Sequence, residues 1–177
     1  LFSGCSSCTS ITGLDAWDTG NVSDLSATFD YLIRLKTIPG ISGWNTANVK
    51  YFAATFYNLY SLEQLDLSNW DDSSLIPGTP VDGIGYSGDI GTVKSLKSFT
   101  VGAKWSNTSY LAKRIELASS STVPTDGKWY AASDGGAYES AAVPGNRADT
   151  YYATPTPLQS AIAKEPADWT LDDQQLA

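Results

Sequence analysis

A period of 27 residues constrains this chain more than any other feature. Phe2, Phe29 and Phe56 recur at that spacing, as do Cys8, Leu35 and Leu62, and Ile11, Ile38 and Leu65. Four tryptophans, Trp17, Trp44, Trp70 and Trp105, close successive copies of the pattern. A period of about 20 to 50 residues marks stacked supersecondary units, none of which buries its apolar side without a neighbour. Such stacks present surfaces more often than they perform chemistry, so recognition is the first functional expectation.

The third copy is the most regular. Leu62, Leu65 and Leu67 keep the L-x-x-L-x-L spacing of a leucine-rich repeat, with the last two as inward residues of a short strand and Trp70 after it. Copies one and two read Ile11-Thr-Gly-Leu14 and Ile38-Pro-Gly-Ile41, where the extra residue and the glycine suggest a bulge. Copy four runs through Ile90, Leu96, Phe99, Val101 and Trp105. After Trp17 and Trp44, the apolar spacing Val22, Leu25, Phe29 and Val49, Phe52, Phe56 is helical, with Asn21 and Asn48 placed to cap. The fold class expected is therefore α/β: a short right-handed leucine-rich-repeat solenoid of about four units, each a strand plus a short helix.

Phe2-Ser-Gly-Cys5-Ser-Ser, Trp17-Asp-Thr-Gly-Asn-Val22 and Leu65-Asp-Leu67-Ser-Asn-Trp70-Asp resemble the BspA-type leucine-rich repeats of bacterial surface proteins. The resemblance covers about residues 1–105. The chain has no Met, and Leu25, Phe52 and the Ala-Thr-Phe endings stand where that family favours Met. The resemblance implies a cell-surface adhesin or host-interaction protein of a gut bacterium.

The period breaks after Trp70. Pro77 and Pro80, then Gly83, Gly85 and Gly88, exclude a helix, and the stretch from Leu75 to Ile90 is eight residues longer than its counterpart from Val49 to Phe56. Insertions of this kind map to loops, often on a binding face. Further on, Lys128-Trp129-Tyr-Ala-Ala-Ser-Asp134-Gly-Gly136-Ala-Tyr138 reads as a hairpin, and Asp149–Tyr152 as a third strand, together a small β cap over the end of the stack. Residues 154–157 read as a linker and Leu158 to Lys164 as two helical turns, with Trp169 and Leu171 anchoring an acidic tail. The division expected is a repeat region over 1–110, a hairpin cap over 111–153, and a linker and packed tail over 154–177.

Composition narrows the partners. The 177 residues include 11 basic and 19 acidic ones, for a formal net charge of -8, which argues against nucleic acid and anionic membrane surfaces. No run approaches the ~20 apolar residues of a membrane helix, and no charged start precedes an apolar run as in a signal peptide. The start in mid-repeat reads as a piece of a longer protein with its targeting segments elsewhere. A surface rich in Ser, Thr, Asn, Gly and Tyr fits an extracellular, cell-attached location.

Chemistry finds little footing. Cys5-Ser-Ser-Cys8 cannot complete a zinc set without His or further Cys, and reads as a small buried pair open to a local disulfide. With no histidine, the common triads and the usual general base are missing. Asp66, Asp71-Asp72 and Asp172-Asp173 show no groove-spanning pairing, and Gly85 to Asp89 lacks the Lys of a phosphate loop. No catalytic residue, cofactor or metal site is expected.

The repeated Trp and Phe belong to the core. Tyr57, Tyr60, Tyr31 and Tyr86 fall off that frame and suit contact with a partner. The outward strand positions, Thr37, Gln64, Asp66, Ser68, Ser98 and Thr100, are expected to line a binding face flanked by Tyr86 and the 76–89 loop. The reading is a non-catalytic recognition module for a protein or glycan on a host or neighbouring cell. A stalk whose repeats only extend a distal head is the alternative.

Overall fold

The computed structural model describes residues 1–76, 93–118 and 123–164. Tyr86, most of the 76–89 loop, Ile90, Trp169, Leu171 and the Asp172-Asp173 pair lie outside the described residues. Seven elements follow in chain order: β1 (Gln64–Leu67), β2 (Ser98–Val101), α1 (Thr108–Ala118), β3 (Lys128–Ala131), β4 (Ala137–Glu139), β5 (Asp149–Tyr152) and α2 (Pro157–Ile162). The strands form one mixed sheet in the order β1-β2-β5-β3-β4. Only β1 and β2 run parallel, with Gln64 opposite Ser98 and Leu67 opposite Val101; the other pairs are antiparallel.

This corrects the expected leucine-rich-repeat solenoid of strand-plus-helix units. Among the described residues before Thr108 there is no α-helix. The segments expected to be helical hydrogen-bond to the next copy instead of along themselves. Leu25, Ala27, Phe29 and Tyr31 donate their backbone N–H to the carbonyls of Tyr51, Ala53, Thr55 and Tyr57, each 26 residues ahead, at 3.0–3.1 Å. Ala27 (φ 53°) and Ala54 (φ 56°) sit in the left-handed region, which no right-handed helix passes through. A segment this short and rich in Ser, Thr and Asn gains too little from local bonds to nucleate a helix.

The strands expected in the first two copies are also replaced. A 3-10 turn spans Leu14–Ala16 and another Ile41–Gly43, each entered through a left-handed glycine, Gly13 or Gly40. At Gly40 (φ 91°) a Cβ would stand 2.6 Å from the backbone N of Asp15, so the close approach of two copies also demands glycine there. Nor is the C-terminal part a separate β cap. β5 pairs with β2 along Ser98–Tyr152 to Val101–Asp149, so the hairpin β3–β4 and the repeat strands share one sheet.

The copies nevertheless stack, and we call each a rung. Phe2, Phe29 and Phe56 lie face to face at 5.7 and 5.8 Å, and Trp17, Trp44 and Trp70 at 5.8 and 6.1 Å. The indole N–H of Trp44 donates to the Leu14 carbonyl at 2.9 Å, and that of Trp70 to the Ile41 carbonyl at 2.7 Å. The position two beyond each Trp joins neighbouring rungs. The Thr19 hydroxyl accepts from Asn45 N at 2.8 Å, and the Thr46 hydroxyl from Asp71 N at 2.7 Å. At the third such position Asp72 accepts from Ser106 N at 2.8 Å and Asn107 N at 2.9 Å, beside the first turn of α1. Trp44, Trp70 and Trp105 are at most 2% exposed, whereas Trp17 is 41% exposed, which corrects its assignment to the core.

Leu111, Ala112 and Ile115 of α1 enter the same core as Phe99, Trp129 and Tyr151. The Thr156 hydroxyl accepts from Gln159 N to cap α2, and the Gln159 side chain donates to the Ala131 carbonyl of β3 at 2.8 Å. Cys5 is exposed, Cys8 half-buried, and both are free thiols, so the buried pair expected at Cys5 and Cys8 does not form.

Candidate functional site

In β1 burial alternates, with Leu65 and Leu67 inward and Gln64 and Asp66 exposed. Partners directly opposite in a ladder share a face. The register therefore lays out two rows across the outer side of the sheet. One runs Gln64, Ser98, Tyr152, Tyr130 and Ala137; the other runs Asp66, Thr100 and Thr150. Adjacent strands stand about 4.8 Å apart, so the first row spans roughly 19 Å. Thr37, also exposed, stands one period ahead of Gln64.

Of the expected binding residues, Gln64, Asp66, Ser98 and Thr100 are thus brought together. They are not equally available. Ser98 is 9% exposed between its longer neighbours. The Thr100 and Thr150 hydroxyls hydrogen-bond to each other at 2.9 Å. Ser68 is half-buried past the strand end, and its N–H donates to Asp66 Oδ1 at 3.0 Å. Tyr57 and Tyr60 are not on the sheet face. They occupy the corner that leads into β1, where Tyr31 N donates to the Tyr57 carbonyl at 3.1 Å and the Tyr60 hydroxyl to Asn58 Oδ1 at 3.2 Å.

Four polar groups on this face make no hydrogen bond among the described residues: the Gln64 amide, Asp66 Oδ2 and the hydroxyls of Ser98 and Tyr152. Tyr152 is 36% exposed and supplies the open ring of the face. Tyr130 beside it is nearly covered, and its hydroxyl donates a short bond to Asp126. That bond, and then burial, push the Tyr130 phenol up to about 12, so it stays neutral across ordinary pH. At the border Glu63 bridges two lysines, with Oε1 3.0 Å from Lys36 Nζ and Oε2 2.5 Å from Lys97 Nζ. The Lys97 bond first, then the Lys36 bond, hold the Glu63 carboxyl below its usual range.

Tyr152, Thr150 and Tyr130 escaped sequence reasoning because β5 and β3 read as a cap apart from the repeats. The sequence Asp149-Thr-Tyr-Tyr152 carries no apolar alternation that would mark its faces, although Asp149 and Tyr151 are buried and Tyr152 is open.

The buried polar groups elsewhere serve the fold. Arg147 closes the β3–β4 turn against β5, with Nη2 2.8 Å from Asp134 Oδ2 and 2.7 Å from Asp149 Oδ2, and Nη1 3.1 Å from the Tyr138 hydroxyl. Asp134 is held below the usual carboxylate range, first by the Gly136 N–H. Asp71 and Asp72 do not act as a pair. Asp71 accepts from Ser73 N and faces Lys104, while Asp72 turns inward to Ser106 and Asn107. Beside α1, Lys113, Glu116, Lys128 and Glu139 line a groove of about 310 Å³ with cations and carboxylates intermixed.

Residues 1–77, fewer than half of the chain, are similar to a family model described as a Mycoplasma protein of unknown function, DUF285. That stretch holds the first three rungs and β1. No curated protein and no solved structure matches the chain.

Proposed function

We propose that the protein is a non-catalytic recognition module of a bacterial cell surface, which holds a protein or glycan of a host or neighbouring cell. The observation that carries this reading is the outer sheet face, where Gln64, Asp66 and Tyr152 offer an amide, a carboxylate oxygen and a phenol that the described fold leaves unused. Aromatic residues with a polar handle are the side chains that recognition surfaces favour. The BspA-type resemblance of the repeats points the same way, and the Mycoplasma family similar to residues 1–77 agrees with a bacterial source.

The test is a screen of the folded chain against arrays of extracellular-matrix proteins and glycans, with the triple variant Gln64→Ala, Asp66→Ala, Tyr152→Ala beside it. The expected result is a specific ligand whose affinity falls by at least ~10-fold in the variant, the loss of two or three contacts of about 1 kcal/mol each. A ligand bound equally by both moves the site off this face. A folded chain that binds nothing favours the stalk reading.

A further inference from the structure

Three stacked turns gather a local excess of cations on an otherwise acidic chain. Residues 32–37, 59–64 and 93–98 hold the same place in successive rungs. Their inward residues match: Leu32 and Leu35, Leu59 and Leu62, and Val93 and Leu96 are all buried. The backbone joins them in register, with Glu63 N donating to the Lys36 carbonyl and Lys97 N to the Glu63 carbonyl, each at 2.8 Å. Neighbouring rungs therefore stand about 4.8 Å apart, and the three span roughly 10 Å. Within these stretches lie Arg34, Lys36, Lys94 and Lys97 against a single carboxylate, Glu63. That is four of the chain's 11 basic residues and one of its 19 acidic ones.

All four cations are exposed. Glu63 gathers Lys36 and Lys97 onto its two oxygens, at 3.0 and 2.5 Å. An ammonium has three donors, so each lysine keeps two for a ligand. The Arg34 guanidinium and the Lys94 ammonium make no ion pair or hydrogen bond among the described residues. On the rung between them Tyr60 is 39% exposed, its hydroxyl tied to Asn58 Oδ1 at 3.2 Å. Ser61 Oγ donates to the Ile33 carbonyl at 2.8 Å and so fastens this turn to the rung that carries Arg34.

The formal net charge of -8 does not bar an anion from this corner. At physiological ionic strength, exposed charges more than about 8 Å away are largely screened, so a ligand here meets the local surplus. Fixed cations around an open aromatic ring suit a sugar that carries acidic groups. The C–H face of a pyranose lies flat on a phenol ring, while its acidic oxygens take charge-assisted bonds from lysine and arginine. An acidic peptide would use the cations and leave the ring without a flat partner.

We propose that this corner binds an acidic glycan, a short stretch of a sulfated chain stacked on Tyr60 and paired with Arg34, Lys36, Lys94 and Lys97. The corner borders the sheet face at Gln64 and Ser98, so the proposal rests on the recognition reading and gives its ligand a chemical class.

The test is calorimetric titration of the folded chain with a heparin hexasaccharide, a neutral dextran fragment of equal length, and a single-stranded DNA of equal charge. Two corner variants stand beside it: Arg34→Gln with Lys94→Gln, which removes charge from two exposed turns, and Tyr60→Ala, which removes the ring. The expected result is that heparin binds and the other two probes do not. The charge variant should weaken it by at least ~10-fold, with a shallower salt dependence, for two lost charge-assisted bonds. Tyr60→Ala should weaken it several-fold. Heparin that is not bound, or is bound equally by the charge variant, overturns the proposal. So does equal affinity for the DNA, or an unchanged affinity in Tyr60→Ala, either of which leaves charge alone as the cause. The Gln64→Ala, Asp66→Ala, Tyr152→Ala variant separates the two readings. An array ligand lost by that variant in a chain indifferent to heparin overturns the acidic-glycan proposal and keeps the sheet face. Heparin lost only by the corner variants keeps the proposal even where the sheet face fails its own test.

Discussion

Two kinds of aromatic residue carry most of the fold, and substitutions tell them apart. Trp44 gives both a stacked ring and a buried N–H to Leu14, whereas Trp17 gives a ring with one open face and an unused N–H. Trp44→Phe is expected to cost about 2 kcal/mol from the lost bond and the space left behind, and Trp17→Phe no more than ~0.5 kcal/mol, both read by urea denaturation. Tyrosine ionisation gives a second residue-level signature. Burial raises the Tyr151 phenol to about 12, and the bond to Asp126 does the same for Tyr130, from an ordinary value of 10.0. A raised phenol favours the folded state fully below pH 10 and loses that contribution as pH climbs towards 12. Stability should therefore fall across that window, and Tyr130→Phe should shallow the fall. Absorbance near 295 nm should show two tyrosines titrating late in the folded protein.

At the scale of elements, the position two beyond each Trp carries the bond to the next copy. Threonine at 19 and 46 bridges to the next rung through one hydroxyl, while Asp72 takes two backbone donors and the Asn107 amide. Asp72→Ala is expected to cost about 3 kcal/mol, and Asp72→Thr about half as much because it restores the bridge but not the second donor. Thermal melts of both variants check this ordering. The same position marks a limit of sequence reasoning. The period predicts which rings stack, because Phe2, Phe29 and Phe56 repeat in kind and spacing. It does not predict backbone hydrogen bonding. Val49, Phe52 and Phe56 fit a helical spacing equally well whether the chain coils on itself or turns to meet its neighbour. The left-handed Ala27 and Ala54, which settle the matter, are residues with no special preference for that conformation. α1 went unread for the opposite reason: Leu111, Ala112 and Ile115 carry a plain helical spacing outside the 27-residue frame.

For the whole molecule, the pairing of β2 with β5 is the decisive join. Phe99 of β2 touches Trp129 and Tyr151, with ring centres 4.8 and 5.2 Å apart, so the core runs unbroken from the rungs to the hairpin. Unfolding should accordingly be one transition. Single-tryptophan variants reporting on Trp44 and on Trp129 are expected to give coincident urea midpoints, whereas an independent cap would separate them. The same join explains how much of the candidate face could be foreseen. Gln64, Asp66, Ser98 and Thr100 follow from strand alternation within the repeats. Tyr152 and Thr150 reach that face only through a partner strand some 50 residues away, and pairing at that separation leaves no local mark.

The ladder of bonds from each rung to a residue 26 ahead also sets how the protein answers to pulling. Those bonds point along the stack, so tension applied at Leu1 in that direction falls on one rung at a time. The rungs should peel away successively at low force, like coins lifted from a roll. β5 and β3 at the far end, each held on both edges, should yield last.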